Sequence, residues 1–231
     1  MNSDVAKRAA ARAAAALVQD GMLLGIGSGS TANHFQAALA ERIREQGLHL
    51  RGVAPSRRSE ENALSLGIPL IAPTRETVLD LAVDGADEIT LTLQAIKGGG
   101  GALVREKIVV AAAKRFIVIA DDSKLVPYLG AFPLPVAVLP FGWERTARRI
   151  EDTFGVPVSV RGGSETPFVS DDGLRILDLR FGRIADPEET YRQLRTTVGV
   201  VDCGLFLDLA GEAILGAEDG SIRVLSRSEA A

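Results

Sequence analysis

Apolar positions along the chain fall into short continuous blocks, separated by stretches in which they recur with helical spacing. The first stretch, residues 4–20, is rich in alanine, the best helix former, with Ser3 or Asp4 as its cap and Gly21 as its stop. Met22–Ile26 reads as a short strand. A Gly/Ser loop from Gly25 to Thr31 then leads into a second helix ending near Gln46, with Phe35, Leu39 and Ile43 on its apolar side. The rhythm continues through strand Leu50–Ala54, helix Glu60–Leu66, and strands Pro69–Ala72, Leu79–Asp84 and Ala95–Lys97. Helix Ala102–Lys114 and strand Phe116–Ala120 complete this part. Buried strands alternating with helices predict parallel βαβ units and a sheet covered on both faces.

Past residue 130 the pattern changes. Pro127, Pro133, Pro135 and Pro140 mark the crossing. Strand Val136–Leu139, helix Trp143–Thr153, strand Pro157–Val160 and strand Leu174–Phe181 follow. A helix from Pro187 to Arg195 and strand Val200–Leu207 complete the ferredoxin-like order β-α-β-β-α-β. The tail offers strands Glu212–Leu215 and Ile222–Leu225, which are expected to rejoin the first sheet. The expected fold is therefore α/β. A Rossmann-like parallel-sheet domain (1–131 plus 207–231) carries an inserted ferredoxin-like α+β smaller domain (132–206).

Composition narrows the function. The 231 residues carry a net charge of −4, without the basic excess of a nucleic-acid-binding protein. Cys203 is the single cysteine, and His34 and His49 are the two histidines. No intrachain disulfide can form, which suits a reducing compartment, and a Cys/His zinc cluster lacks ligands. The longest uncharged stretch, Gly21–Ala40, contains Ser28, Ser30, Asn33, His34 and Gln36 and fails as a membrane span. A cytoplasmic protein without resident metal or cofactor is expected. Cys203 reads as a small buried hydrophobe, His34 as a packed residue, and His49 as unpartnered.

In open α/β sheets, ligands bind at the carboxyl ends of the strands, and four unusual segments follow predicted strands here. Gly25-Ile26-Gly27-Ser28-Gly29-Ser30-Thr31 opens a helix, where backbone N–H groups and hydroxyls suit an anion. A dinucleotide fingerprint would need glycine at position 30, where Ser30 stands. Arg57 and Arg58 would suit a 2′-phosphate but read better as a solvated basic loop. In Asp84-Gly85-Ala86-Asp87-Glu88, Asp84 and Asp87 can share a polyol and move protons between its oxygens. Lys97-Gly98-Gly99-Gly100-Gly101 allows close backbone approach, and Lys97 offers a cation. Lys124 in Asp121-Asp122-Ser123-Lys124 can hold a phosphate as a point charge. Glu106 shares a helix side with Val109, Val110 and Ala113, and a carboxylate in apolar surroundings is a better base near neutral pH. Each segment also has a purely structural use, as a helix cap, a turn or a solvated loop. Their convergence carries the argument.

These segments, in this order, resemble the type A ribose-5-phosphate isomerases. Arg105-Glu106-Lys107, Phe132-Pro133-Leu134-Pro135-Val136 and Gly204-Leu205-Phe206 extend the resemblance over nearly the whole chain. It implies isomerisation of D-ribose 5-phosphate to D-ribulose 5-phosphate in the pentose phosphate pathway, with no metal and a homodimeric or homotetrameric assembly. It also implies Glu106 as proton acceptor and donor. Ser28, Gly29, Ser30, Thr31, Asp84, Gly85, Ala86, Asp87, Lys97, Gly98, Gly99, Gly100 and Lys124 would hold the substrate. Lys97 would steady an enediolate, and Asp84 or Asp87 would open the sugar ring. Ser28 stands where a threonine is usual, and Pro55-Ser56-Arg57-Arg58-Ser59 departs from the Ser-rich loop of the family. A non-catalytic sugar-phosphate sensor of similar fold would pair with a DNA-binding segment, yet only some twenty residues precede the first strand.

Overall fold

A computed structural model describes residues 3–227. The outermost residues of the expected larger domain, 1–2 and 228–231, lie outside that range. The first half runs α1 (Ser3–Ala16), β1 (Leu23–Ile26), α2 (Ser30–Gln46), β2 (Arg51–Val53), α3 (Arg57–Ser65), β3 (Leu81–Gly85), β4 (Glu88–Ile89), β5 (Ala95–Ile96), α4 (Leu103–Ala111) and β6 (Phe116–Asp121). The second half runs β7 (Leu134–Val138), α5 (Trp143–Phe154), β8 (Val158–Val160), β9 (Arg175–Leu179), α6 (Pro187–Thr196), β10 (Val200–Cys203), β11 (Leu205–Phe206), β12 (Glu212–Gly216) and β13 (Ile222–Ser226).

The main sheet has the order β13-β12-β6-β3-β1-β2. All its pairings are parallel except the β12–β13 hairpin at one edge. Strand β6 shows why both faces must be covered. Ile117 and Ile119 pack with Leu24, Leu81 and Phe35 on one side, and Phe116, Val118 and Ala120 pack with Val110 and Phe206 on the other. Buried Ala6, Ala10 and Ala14 let α1 lie close to the sheet. A Cβ on Gly216 of β12 would overlap the Ala6 carbonyl.

The chain leaves β1 for β2 on one side and returns to β3 on the other. The crevice between β1 and β3 is thus a topological switch point, where open α/β sheets bind ligands.

Strands β7 to β10 form a separate antiparallel sheet of order β10-β7-β9-β8, backed by α5 and α6. In chain order this is 4-1-3-2 of a β-α-β-β-α-β unit, the ferredoxin-like arrangement. All of it falls between β6 and β12, which are neighbours in the main sheet. The tail does rejoin the first sheet. A small third sheet, β11-β5-β4, lies between the two.

Several expected elements differ, each for a local reason. Helix α1 stops at Ala16, where Arg42 donates to the Ala15 carbonyl of its last turn and to the Val18 carbonyl beyond it. Helix α3 starts at Arg57, earlier than expected, since Ser56 and Ser59 form a reciprocal cap. Arg57 and Arg58 therefore open a helix and are not a loose loop. Pro69–Ala72 contributes only one bridge, Leu70 to Gly52, and prolines 69 and 73 cannot donate to a longer ladder. Helix α4 ends at Ala111, where Leu79 pairs with the chain at Ala112 and Lys114. The single strand expected over Val200–Leu207 is two. Gly204 divides them, accepting from Lys97 N–H and donating to the Pro135 carbonyl, in a space where a Cβ would meet the Lys97 oxygen at 2.2 Å.

Candidate active site

The site grows from the carboxyl ends of β1 and β3. Beyond β1 the chain passes Gly27, whose missing Cβ makes room for Asp84, since a Cβ there would lie 2.5 Å from Asp84 Oδ1. Asp84 ends the apolar run of β3. Its Oδ1 accepts the N–H groups of Ser28 (2.9 Å) and Gly85 (2.7 Å). Lys97 follows β5, and its ammonium lies 2.9 Å from Asp84 and 3.3 Å from Glu106, and donates to the Gly85 carbonyl at 2.6 Å. The Phe206 ring stands 5.3 Å from the same ammonium. Glu106, in the first turn of α4, accepts the Ser28 hydroxyl at 2.5 Å.

The three charged groups are nearly sealed, with Asp84, Lys97 and Glu106 each 2–3% exposed. Burial pushes Asp84 up to about 6, against the pull of the Lys97 ammonium and helped by the nearby Glu106 carboxylate. Burial works against the charge on Lys97 too, but Asp84 and Glu106 outweigh it and hold its pKa above the ordinary lysine value. Asp87 is raised mainly by burial, opposed by the Gly99 N–H at 2.8 Å and by Lys97.

A cavity of about 150 Å³ opens above this cluster. Ser28 to Thr31, Gly85 to Asp87 and Lys97 to Gly100 line it, together with Lys7, Glu106 and Lys124. The expected site residues thus converge, with one exception in placement. Asp84 lies beneath the wall, turned to Lys97 and the backbone, whereas Asp87 reaches the cavity.

Other expectations need correction. Glu106 has Val109 and Val110 on its helix, yet its carboxylate faces Ser28 and Lys97, so its immediate surroundings are polar. Its sequence neighbours point elsewhere, as successive helical side chains must. Arg105 pairs with Asp172 at 2.6 Å and Lys107 with Asp202 at 2.7 Å, pinning α4 to the smaller domain. His34 is half-buried against α1, where it meets Asp4 at 2.9 Å, and does not line the cavity. His49 does have a partner, Asp20. Cys203 is fully buried, as expected. Pro55, Ser56, Arg58 and Ser59 line an adjoining cavity of about 310 Å³, which shares Ser28, Gly29 and Gly100 with the first.

Two residues escaped the sequence reading. Lys7 of α1 lines the cavity and donates to Ser30 Oγ at 3.3 Å. Arg161 of the smaller domain donates to the carbonyls of Gly98 and Gly99, each at 2.9 Å. Neither sits in a motif, and the only sequence signal for Lys7 is a basic residue on the polar side of an Ala-rich helix.

The fold and site define a Rossmann-like α/β protein with an anion-suited helix start facing a buried carboxylate–lysine–carboxylate cluster. The family model for ribose 5-phosphate isomerase A (phosphoriboisomerase A) matches residues 51–220. A ribose-5-phosphate isomerase A of Thermomicrobium roseum is 51% identical over 99% of this chain and 96% of its own. One of Rhodopseudomonas palustris is 50% identical over 98% of this chain and 100% of its own. Among solved structures, a D-ribose-5-phosphate isomerase in complex with phospho-erythronic acid is similar at TM-score 0.92, with 34% identity over 98% of this chain and all of that one. The ribose 5-phosphate isomerase A of Methanocaldococcus jannaschii is similar at TM-score 0.90, with 36% identity over the same shares. The chain belongs to the ribose 5-phosphate isomerase A family.

Proposed function

We propose that this chain is an aldose–ketose isomerase interconverting D-ribose 5-phosphate and D-ribulose 5-phosphate in the non-oxidative pentose phosphate pathway. One observation carries the reading. The Glu106 carboxylate, held by Ser28 and Lys97, shares the lining of one cavity with Lys7, Ser30, Thr31 and Lys124. Those cations, hydroxyls and the N-terminus of α2 suit a phosphate, leaving the sugar carbons over Glu106. The phosphorylated acid bound by a solved relative fits the same division.

In this reading Asp87, which reaches the cavity, shuttles the proton that opens the ring. Glu106 then takes the C2 proton, and a cis-enediolate forms. As the O2 proton passes to O1, Glu106 returns its proton to C1, so no net proton is gained or lost. Lys97 and the backbone N–H groups of the glycine loop steady the enediolate oxygens. Asp84 keeps Lys97 charged and in place. Ser28 to Thr31, Gly85, Ala86 and Gly98 to Gly100 shape the pocket around the substrate.

No described helix is long and apolar enough to cross a membrane. We further infer a cytoplasmic homodimer or homotetramer that needs no cofactor or metal, with domains at 1–131 plus 207–231 and 132–206.

The test is conversion of ribose 5-phosphate by EDTA-treated protein, followed by NMR in deuterated water beside Glu106→Gln. Rapid conversion with deuterium at the isomerised carbon, and a drop of about 100- to 10,000-fold in the variant, is expected. A chain that binds the sugar phosphate without turning it over would be a sensor, and this reading would be wrong.

A further inference from the structure

The peptide units of the glycine loop are gripped from outside the cavity. Arg161 follows β8 in the smaller domain. Its Nε and Nη2 donate to Asp178 at 3.0 and 2.5 Å, which fixes the guanidinium plane. Its Nη1 is left to donate to two successive carbonyls, Gly98 and Gly99, both at 2.9 Å. The turn that holds Arg161 is itself rigid. Its N–H donates to Ile176, and a Cβ on the next residue, Gly162, would lie 2.7 Å from the Thr166 carbonyl.

Peptide planarity transmits that grip. No described peptide bond is cis. In a trans unit the C=O and N–H point in opposite directions. The unit whose Gly98 carbonyl meets Arg161 therefore turns its Gly99 N–H to the far side, where it meets Asp87 at 2.8 Å. The next unit, whose Gly99 carbonyl meets the same nitrogen, turns the Gly100 N–H the same way. Among the described residues that N–H has no protein acceptor, and Gly100 lines the cavity. A run of glycines has many other backbone conformations open to it, so without an outside hold these two N–H groups would wander.

We infer that Arg161, acting from the smaller domain, is a positioning residue that aims the Gly99 and Gly100 N–H groups at Asp87 and at the substrate oxygen. This rests on the isomerase reading above. The smaller domain is then part of the catalytic machinery as well as a support for the fold. The Arg161 side chain stays outside the cavity, so its loss acts through the loop. Charge on the substrate oxygen develops in the enediolate, and the effect falls mainly on kcat.

Steady-state kinetics on ribose 5-phosphate would compare the full chain with Arg161→Ala, Arg161→Lys and Arg161→Met. Alanine and methionine are expected to lower kcat about 10- to 100-fold, as for a misplaced catalytic geometry. KM should stay within about threefold. Lysine can still donate to a carbonyl and should recover part of the rate. Asp87 faces Lys97, Glu106, Lys124 and the Gly99 N–H. Losing that N–H should move the acid limb of kcat/KM upward in the alanine and methionine chains. Amide hydrogen exchange at Gly99 should quicken in the same two.

Parental kcat in the alanine or methionine chain, at parental Tm, overturns the inference. If the alanine chain does not fold, equal rates for the lysine and methionine chains overturn it. If the parent itself does not isomerise ribose 5-phosphate, the functional reading falls first. Gly99 exchange that the substitutions leave unmoved would then show that the grip is absent as well.

Discussion

The ammonium of Lys97 lies 3.3 Å from Glu106 Oε2, an oxygen that is buried and accepts no hydrogen bond from the described residues. The contact is one of charge without hydrogen-bond geometry. Glu106 Oε1 is engaged by Ser28, while Oε2 has the Lys97 cation beside it and no hydrogen bond occupying its lone pairs. That is the arrangement wanted of a base that must accept a carbon-bound proton and give it back.

Lys97 stands between two sealed carboxylates, so Lys97→Met should cost both stability and rate. Removing one partner of a buried ion group costs about 3–5 kcal/mol. Loss of a donor to the developing enediolate should lower kcat by about 100- to 1,000-fold. Urea unfolding alongside kinetics checks both, and a methionine variant as stable as the parent would contradict the buried-charge account.

Asp84 sets a pH dependence whose sign can be worked out. Its pKa is about 6 in the fold against 3.8 as the ordinary value. Between those values the folded chain holds a proton that the unfolded chain has released. The Asp84 contribution to stability is therefore greatest at the acid end and declines as pH rises from about 4 to about 6. Lys97 acts in the other range. Its raised pKa contributes stability that is present below the ordinary value of 10.5 and is lost as pH climbs past the folded value. Unfolding free energy measured across pH for parent and Asp84→Asn should show a smaller decline in the acid window in the variant, where Asp87, also raised by burial, still contributes.

Lys7 offers a test of where the phosphate sits. Lys7→Ala removes a cation from the cavity lining without touching the carboxylate cluster. A charge-assisted hydrogen bond is worth roughly 1.5–3 kcal/mol. KM should rise about 10- to 100-fold, with kcat changed by less than about threefold. A large fall in kcat at unchanged KM would place Lys7 in the chemistry instead.

Two glycines should behave oppositely. A Cβ at Gly27 would lie 2.5 Å from Asp84 Oδ1 and 2.6 Å from the Val83 carbonyl, whereas one at Gly100 would meet nothing within 4 Å. Gly27→Ala should destabilise the chain by about 1–3 kcal/mol. Gly100→Ala should leave Tm near the parental value. Thermal unfolding of both variants decides, and equal Tm values would remove the packing argument for Gly27.

The alternation of apolar blocks and helical stretches was enough to predict the parallel sheet and the ferredoxin-like order of the second half. Each follows from local periodicity and turn chemistry, which a single strand or helix expresses by itself. The strand-end loops were legible for the same reason, because glycines and hydroxyls beside an apolar run mark where backbone must approach a ligand. Packing decided the rest. It put Asp84 under the wall and Asp87 on it, and brought Lys7 from α1 to Ser30 and Arg161 from the smaller domain to the glycine loop. It also divided the strand predicted over Val200–Leu207 at Gly204, where two sheets meet. These are contacts between residues far apart in the chain, made only once the sheets and helices have closed on one another, and local pattern carries no record of them.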